Sequence, residues 1–251
     1  MCELYVYIIL GLTVGYIGGY AGIGGGPFLV SFLVLVCGMS QLSAQGNVLT
    51  VMLGPMSLLG VLSLYDYVKT QWLNIIIGVI SYCLFSYFGA LAAFLIGEQD
   101  LKWCFALLLV IIAGLQLWPF LRKGASAKAL VNESVPLAWI LALGALTGTI
   151  GGLFGIGAGV LMVPILIGLF KMKKEYARAL SLAILVPPVS YGAFIKYNAE
   201  SPVDWNLVMI LFISYFIANY FGARAGTRVS DNKFKIVYSI ILLLLAGVYI
   251  F

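Results

Sequence analysis

The chain has 251 residues, 63% of them hydrophobic and 9% charged, with a mean hydropathy of +1.10 and a net charge of +5. A soluble domain carries about 25% charged residues, so these charges are too few to cover a water-facing surface. Long apolar runs with charge confined between them define an all-α polytopic membrane protein, and short alternating strands of the β-barrel kind are absent.

Apolar segments fall at approximately 4–37, 42–65, 70–97 and 101–121, followed by a polar connector at 122–136. Four more follow near 137–170, 176–198, 203–229 and 233–251. The first segment contains Gly18-Gly19-Tyr20-Ala21-Gly22-Ile23-Gly24-Gly25-Gly26-Pro27, where glycine and proline make a continuous helix unfavourable. The fifth contains Gly151-Gly152-Leu153-Phe154-Gly155-Ile156-Gly157-Ala158-Gly159, a second such break 133 residues later.

A shift of 133 residues aligns 4–118 with 137–251 without a gap, and 32 of the 115 pairs are identical. Six glycine or isoleucine pairs match across the two breaks. Pro55 and Ser57 meet Pro188 and Ser190, Trp72 meets Trp205, and Tyr87-Phe88-Gly89-Ala90 meets Tyr220-Phe221-Gly222-Ala223. This reads as an internal duplication, with a first transmembrane repeat at 1–121 and a second at 137–251.

The basic residues orient the repeats. If every segment crosses once, the 14 Lys and Arg residues divide 5 to 9 between the two faces. If 4–37 and 137–170 each enter and return, the split becomes 2 to 12, with only Lys102 and Lys196 on the poorer face. The second arrangement obeys the positive-inside rule far better. Each first segment is therefore expected to be two short helices joined at the glycines. Three crossings follow in each half, which inverts the second repeat and leaves both chain ends outside.

Irregular backbone at membrane depth survives only when buried in protein or lining a wet cavity, and paired broken helices in inverted repeats point to a transporter's central site. The two tips are expected to meet near the midplane, with the helices leaving them starting near Pro27 and Val160. Their free N–H groups and positive helix ends favour an anion. The candidate substrate-binding backbone is Gly22, Gly24, Gly25 and Gly26 with Gly155, Gly157 and Gly159; the alternative is that the glycines only allow close helix packing. Asn47 and Ser181 are candidate donors to an oxyanion. Arg178 either attracts an anion or, as the favoured reading, anchors its helix at the interface. Ser57 and Ser190 either contact substrate or satisfy backbone freed by the neighbouring prolines. Asn219, an amide in an apolar run, bonds substrate or another helix. Trp72 and Trp205, at segment starts, read as interface anchors.

Several classes are excluded. Basic residues are not clustered with aromatics on a soluble face, so nucleic acid is not a partner. Met1-Cys2-Glu3 lacks the basic start of a cleavable leader. Cys2, Cys37, Cys83 and Cys104 have no metal or redox spacing and read as small apolar fillers. Histidine is absent, and every carboxylate lies at a segment end or in a loop. No nucleophile–base pair or ligand cluster is present, so neither enzyme nor cofactor chemistry is expected.

Gly18 to Pro27, Gly148 to Pro164, Ala44 to Asn47, Ala177 to Ser181, and Asn219 to Asp231 together resemble the sulfite exporter TauE/SafE family of prokaryotic membrane permeases. The resemblance covers essentially the whole chain. It implies a multi-pass protein of the prokaryotic plasma membrane that moves small anions, often sulfur-containing, such as sulfite or sulfoacetate. Leu180-Ser181 departs from the family's frequent Thr-Ser, which leaves the exact substrate open. The expected function is a secondary transporter working by alternating access. The rivals are an anion channel of the same architecture and a membrane enzyme or assembly partner in sulfur metabolism. The expected partners are a small anionic substrate and the lipid bilayer, with a homo-oligomer left open.

Overall fold

The computed structural model describes residues 3–21, 25–121, 132, 134–157, 159–226 and 231–250. Most of the connector expected at 122–136 lies outside them. The described residues form thirteen helices: α1 (Leu4–Ala21), α2 (Gly26–Leu35), α3 (Gln41–Val51), α4 (Leu58–Leu62), α5 (Tyr65–Val68), α6 (Trp72–Leu95), α7 (Glu98–Leu121), α8 (Leu137–Phe154), α9 (Gly159–Gly168), α10 (Lys174–Ile184), α11 (Tyr191–Glu200), α12 (Trp205–Gly226) and α13 (Asp231–Ile250). The one extended feature among them is an isolated bridge between Asn132 and Met172. Four helices are long and apolar enough to cross a membrane: 72–95, 98–117, 137–154 and 205–225. The chain is thus an all-α membrane protein.

Helix starts recur at the 133-residue spacing read from the sequence. Leu4 and Leu137, Gly26 and Gly159, Gln41 and Lys174, Trp72 and Trp205, and Glu98 and Asp231 open corresponding helices. Packing crosses between the halves, with α1 lying along α12 and α8 along α6. Small residues make both approaches possible. Gly11, Gly15 and Gly19 put one bare face of α1 against Ser214, Tyr215 and Asn219. Gly144, Gly148 and Gly152 do the same for α8 against Ser81, Tyr82 and Ser86. Contacts advance in the same direction along both members, so each pair is parallel. Small residues at a spacing of four are the usual route to such close helix approach in membranes. α7 and α13 pack on one another, and the Ser239 hydroxyl donates to the Ala113 carbonyl (3.3 Å).

The first segment of each half forms one helix of 18 residues, α1 or α8, and one of 10, α2 or α9; at 1.5 Å per residue these are about 27 and 15 Å long. One expectation about the segments needs correction. The second segments, 42–65 and 176–198, are not single continuous helices. Each breaks into shorter helices, at residues 52–57 and 185–190. Pro55 and Pro187-Pro188 cause this, since proline lacks the N–H that would continue the ladder.

Cys37 is also corrected. It is disulfide-bonded rather than an apolar filler, whereas Cys83 and Cys104 are free. Trp72 and Trp205 stand at helix starts with more than half of their surface exposed, as interface anchors do.

Candidate functional site

Gly18 and Gly19 continue α1, and Gly151 and Gly152 continue α8, so the first glycines of each run lie within helices. Gly19 and Gly152 serve close packing, against the backbone at Asn219 and Ser86 respectively. α1 ends at Ala21 and α2 starts at Gly26, while α8 ends at Phe154 and α9 starts at Gly159. Gly22 and Gly24 lie outside the described residues.

Gly155 ends α8 with φ 68°, in the left-handed region that favours glycine. Its N–H and that of Ile156 both donate to the Gly151 carbonyl. The Ile156 carbonyl in turn accepts from the buried Tyr82 hydroxyl at 2.9 Å. These bonds leave the first turns of α2 and α9 as the backbone with free N–H groups. Gly25 caps α2, and Pro27 removes one donor from its first turn, leaving the Gly26 and Phe28 amides without intrahelical partners. Gly159 opens α9 and is buried.

The two breaks touch. A Cβ on Gly26 would lie 2.8 Å from the Ile156 Cα, 3.0 Å from the Gly157 nitrogen and 3.1 Å from the Met52 Cε. Around Gly157 the nearest atoms are the same Met52 methyl at 3.3 Å and the Leu185 methyls at 3.5 Å. Met52 and Leu185 are themselves 133 residues apart and cap the proline-broken helices α3 and α10. The second breaks therefore converge on the first.

Arg178 is buried at 3% exposure, which overturns the reading of an interface anchor. Its Nη2 donates to the Gly19 and Tyr20 carbonyls at 3.2 and 2.9 Å. It thus holds the C-terminal end of α1, where backbone carbonyls lack helical partners and the dipole attracts a cation. One turn further along α10, the Ser181 hydroxyl is fully buried with no hydrogen-bond partner. Asn219, on the α12 face against Gly19, is 1% exposed, and its amide lies beside the Tyr215 hydroxyl on the preceding turn. A buried cation thus sits at the end of α1, with the Asn219 amide on the facing helix.

The 133-residue equivalents of Arg178 and Asn219 are Gln45 and Ser86, which carry no charge. Gln45 Oε1 accepts from the Tyr197 hydroxyl at 2.7 Å, and its Cα would lie 2.8 Å from a Cβ on Gly155. Ser86 Oγ donates to the Cys83 carbonyl and accepts from the Ala193 N–H. The charged cluster therefore belongs to one hairpin only.

The other candidates are engaged by protein. Asn47 donates from Nδ2 to the Ser43 carbonyl and accepts at Oδ1 from the Asp204 N–H, both at 2.9 Å, and so ties α3 to the start of α12. The Ser57 hydroxyl donates to the Leu182 carbonyl at 2.8 Å, and Ser190 to the Leu49 carbonyl at 2.9 Å. Both acceptors lie in last helical turns, where carbonyls need outside donors. The two serines satisfy backbone in the opposite half, not at their own prolines. Tyr82, Gln45, Tyr197, Met52 and Leu185 are additions to the sequence candidates. Gln45 could have been found as the 133-residue partner of Arg178.

A family model described as "Sulfite exporter TauE/SafE" matches residues 7–249. The chain is 28% identical to "Probable membrane transporter protein MJ0441" of Methanocaldococcus jannaschii, over 95% of this chain and 92% of the relative. It is 25% identical to "Probable membrane transporter protein YunE" of Bacillus subtilis, over 96% and 94%. A "Probable membrane transporter protein" of Xylella fastidiosa is 26% identical over 92% and 88%.

Proposed function

The chain belongs to the sulfite exporter TauE/SafE family, and from that premise we propose that this membrane transporter moves a small anion, a sulfur oxyanion or organosulfonate such as sulfite or sulfoacetate. The observation that carries the reading is the contact of Gly26 with Ile156 and Gly157 beside the buried cluster of Arg178, Ser181 and Asn219. Return helices starting at the contact point positive dipole ends toward it, and the guanidinium adds a full charge. In apolar surroundings such donors act strongly on an anion. The unsatisfied hydroxyl and the partly unsatisfied amide are costly to bury unless a ligand uses them.

The mechanism is alternating access between two inverted repeats, with the site between their tips. Three observations support inversion. Helix starts recur at 133 residues, α1–α12 and α8–α6 form equivalent parallel pairs, and Ser57 and Ser190 make reciprocal bonds across the halves. The face bearing Lys69, the connector and Lys171 to Lys174 is cytoplasmic, in the plasma membrane of a prokaryote. The Cys37 disulfide fits the opposite, oxidising face.

The test is flux through purified protein in liposomes, with sulfite, thiosulfate, sulfate and sulfoacetate offered in turn. Saturable uptake with counterflow is the expected result. Flux without saturation or counterflow would make the chain a channel, and no flux of any of these anions would end the proposal.

A further inference from the structure

A second polar space lies away from the glycine tips, at the basic face where α6 and α8 both begin. It is a cavity of about 550 Å³ lined by Thr70, Gln71, Trp72, Asn74, Asn132 and Ser134 on its polar side, with Leu73 and Val135 to Leu137 as apolar wall. The N-terminal turns of two long helices open onto it, each with N–H groups that have no helical acceptor. Asn132 is tied to the basic turn beside it: its N–H donates to the Lys171 carbonyl, and its own carbonyl accepts from the Lys173 N–H. The free N–H groups of the two helix starts suit a phosphate.

The independent observation is Gln71, which is 3% exposed. Its Nε2 donates to the Tyr67 and Tyr176 carbonyls at 3.0 and 3.3 Å, which fixes the amide and leaves Oε1 buried without a partner. That oxygen needs a hydrogen donor from outside the chain. Beside it Trp72 is 63% exposed at its helix start, as interfacial tryptophans are.

We infer that the cavity binds a phospholipid headgroup carrying a hydrogen donor, of the glycerol or ethanolamine kind. The phosphodiester faces the two helix starts, the hydroxyl or ammonium meets Gln71 Oε1, and the acyl chains leave past Trp72 into the bilayer. The site is separate from the anion site and does not depend on the transported substrate.

Phosphatidylcholine discriminates, because it has the same phosphate but a quaternary ammonium with no hydrogen to donate. The purified chain is delipidated and titrated with phosphatidylglycerol, phosphatidylethanolamine or phosphatidylcholine of identical acyl chains. The readouts are melting temperature and lipid retained in native mass spectrometry. The expected result is a rise of several degrees and one retained lipid with the first two, and neither with the third. Ser134→Trp, at an exposed lining position, fills the cavity and removes both effects. Gln71→Leu narrows the difference between phosphatidylglycerol and phosphatidylcholine. Equal effects of all three lipids, or full retention by Ser134→Trp, would overturn the proposal. The same stabilisation by glycerol 3-phosphate alone would assign the site to a soluble phosphate and overturn the lipid assignment.

Discussion

Gly26 and Gly157 approach so closely that a Cβ on the first would lie 3.0 Å from the amide nitrogen of the second. The surroundings of the two glycines differ, which makes substitutions unequal. A side chain on Gly26 meets backbone at Ile156 and Gly157, and backbone cannot rotate away. Gly26→Val is expected to lower stability by about 1–3 kcal/mol, as overpacking does, and to stop uptake. A methyl on Gly157 meets only the flexible ends of Met52 and Leu185 at 3.3 and 3.5 Å. Gly157→Ala is therefore expected to stay within about 1 kcal/mol of the parent. Gly157→Leu is expected to insert and fold but not transport. Thermal denaturation and liposome flux on the three variants separate these outcomes, and normal flux through Gly157→Leu would remove the site from the tips.

Asn219 offers a test in which stability and activity move in opposite directions. The Tyr215 hydroxyl beside it leaves part of its buried amide unsatisfied, so Asn219→Leu removes a desolvation cost that the apo protein bears. Its melting temperature is expected to hold or rise. Substrate affinity is expected to fall about tenfold, equivalent to roughly 1.4 kcal/mol. A structural amide bonded to another helix would give the reverse, with lost stability and unchanged affinity. Binding titrations alongside thermal melts decide between them.

Arg178→Gln places in the second repeat the residue that stands at the equivalent position, Gln45, in the first. Two hydrogen bonds from a charged donor to the end of α1 are lost, each worth about 1.5–3 kcal/mol. Affinity for every anion is expected to fall together with stability. Arg178→Lys keeps the charge but not the planar fork, and recovers anion binding better than it recovers the melting temperature. If Arg178→Gln bound anions as tightly as the parent, the guanidinium would be only a helix cap.

The architecture was legible where one signal recurred. Glycine and proline marked the breaks, and the 133-residue shift that paired Gly24 with Gly157 also paired the helix starts. Pro55 and Pro187-Pro188 carried the second breaks equally plainly, but apolar runs on either side made 42–65 and 176–198 read as continuous helices. Burial was less legible. Arg178 follows a run of lysines near a segment start, a pattern that usually means an interface, and only the fold turns it inward to the end of α1. Ser57 and Ser190 stand beside prolines, yet their acceptors are 125 and 141 residues away. No local pattern reports such partners.

Those two serines make an unequal prediction. Ser190→Ala removes the Ser190 hydroxyl from the Leu49 carbonyl, whereas the Leu182 carbonyl left by Ser57→Ala still accepts from the Leu185 N–H at 3.1 Å. Ser190→Ala is expected to cost about 1–2 kcal/mol, seen as a lower melting temperature, while affinity for the anion is little changed. Ser57→Ala is expected to cost less, because its acceptor keeps a donor. A loss of affinity from either variant, without loss of stability, would return that serine to the substrate site.

Orientation can be read from outside the cell. Asp66 lies beside Lys69 on the basic face, and Glu200 beside Lys196 on the poorer one; both acids are well exposed. With Cys2, Cys37, Cys83 and Cys104 replaced by alanine, Asp66→Cys and Glu200→Cys each present one thiol. If the halves are inverted and the basic face is cytoplasmic, a membrane-impermeant maleimide added to intact cells labels Glu200→Cys alone. Asp66→Cys then reacts only after the membrane is opened. Single crossings by all eight apolar segments would separate 66 from 200 by four crossings and put them on one face, so this pair also tests the return of 137–170. Gly38→Cys supplies a second arm: a returning 137–170 leaves 38 four crossings from 200 and on its face, whereas single crossings make five and put it on the opposite face. Gly38 has open space around its Cβ, although its φ of 64° strains a side chain there. Labelling of Gly38→Cys together with Glu200→Cys in intact cells is the expected result, and labelling of Asp66→Cys together with Glu200→Cys, or of Gly38→Cys alone, would overturn the hairpin.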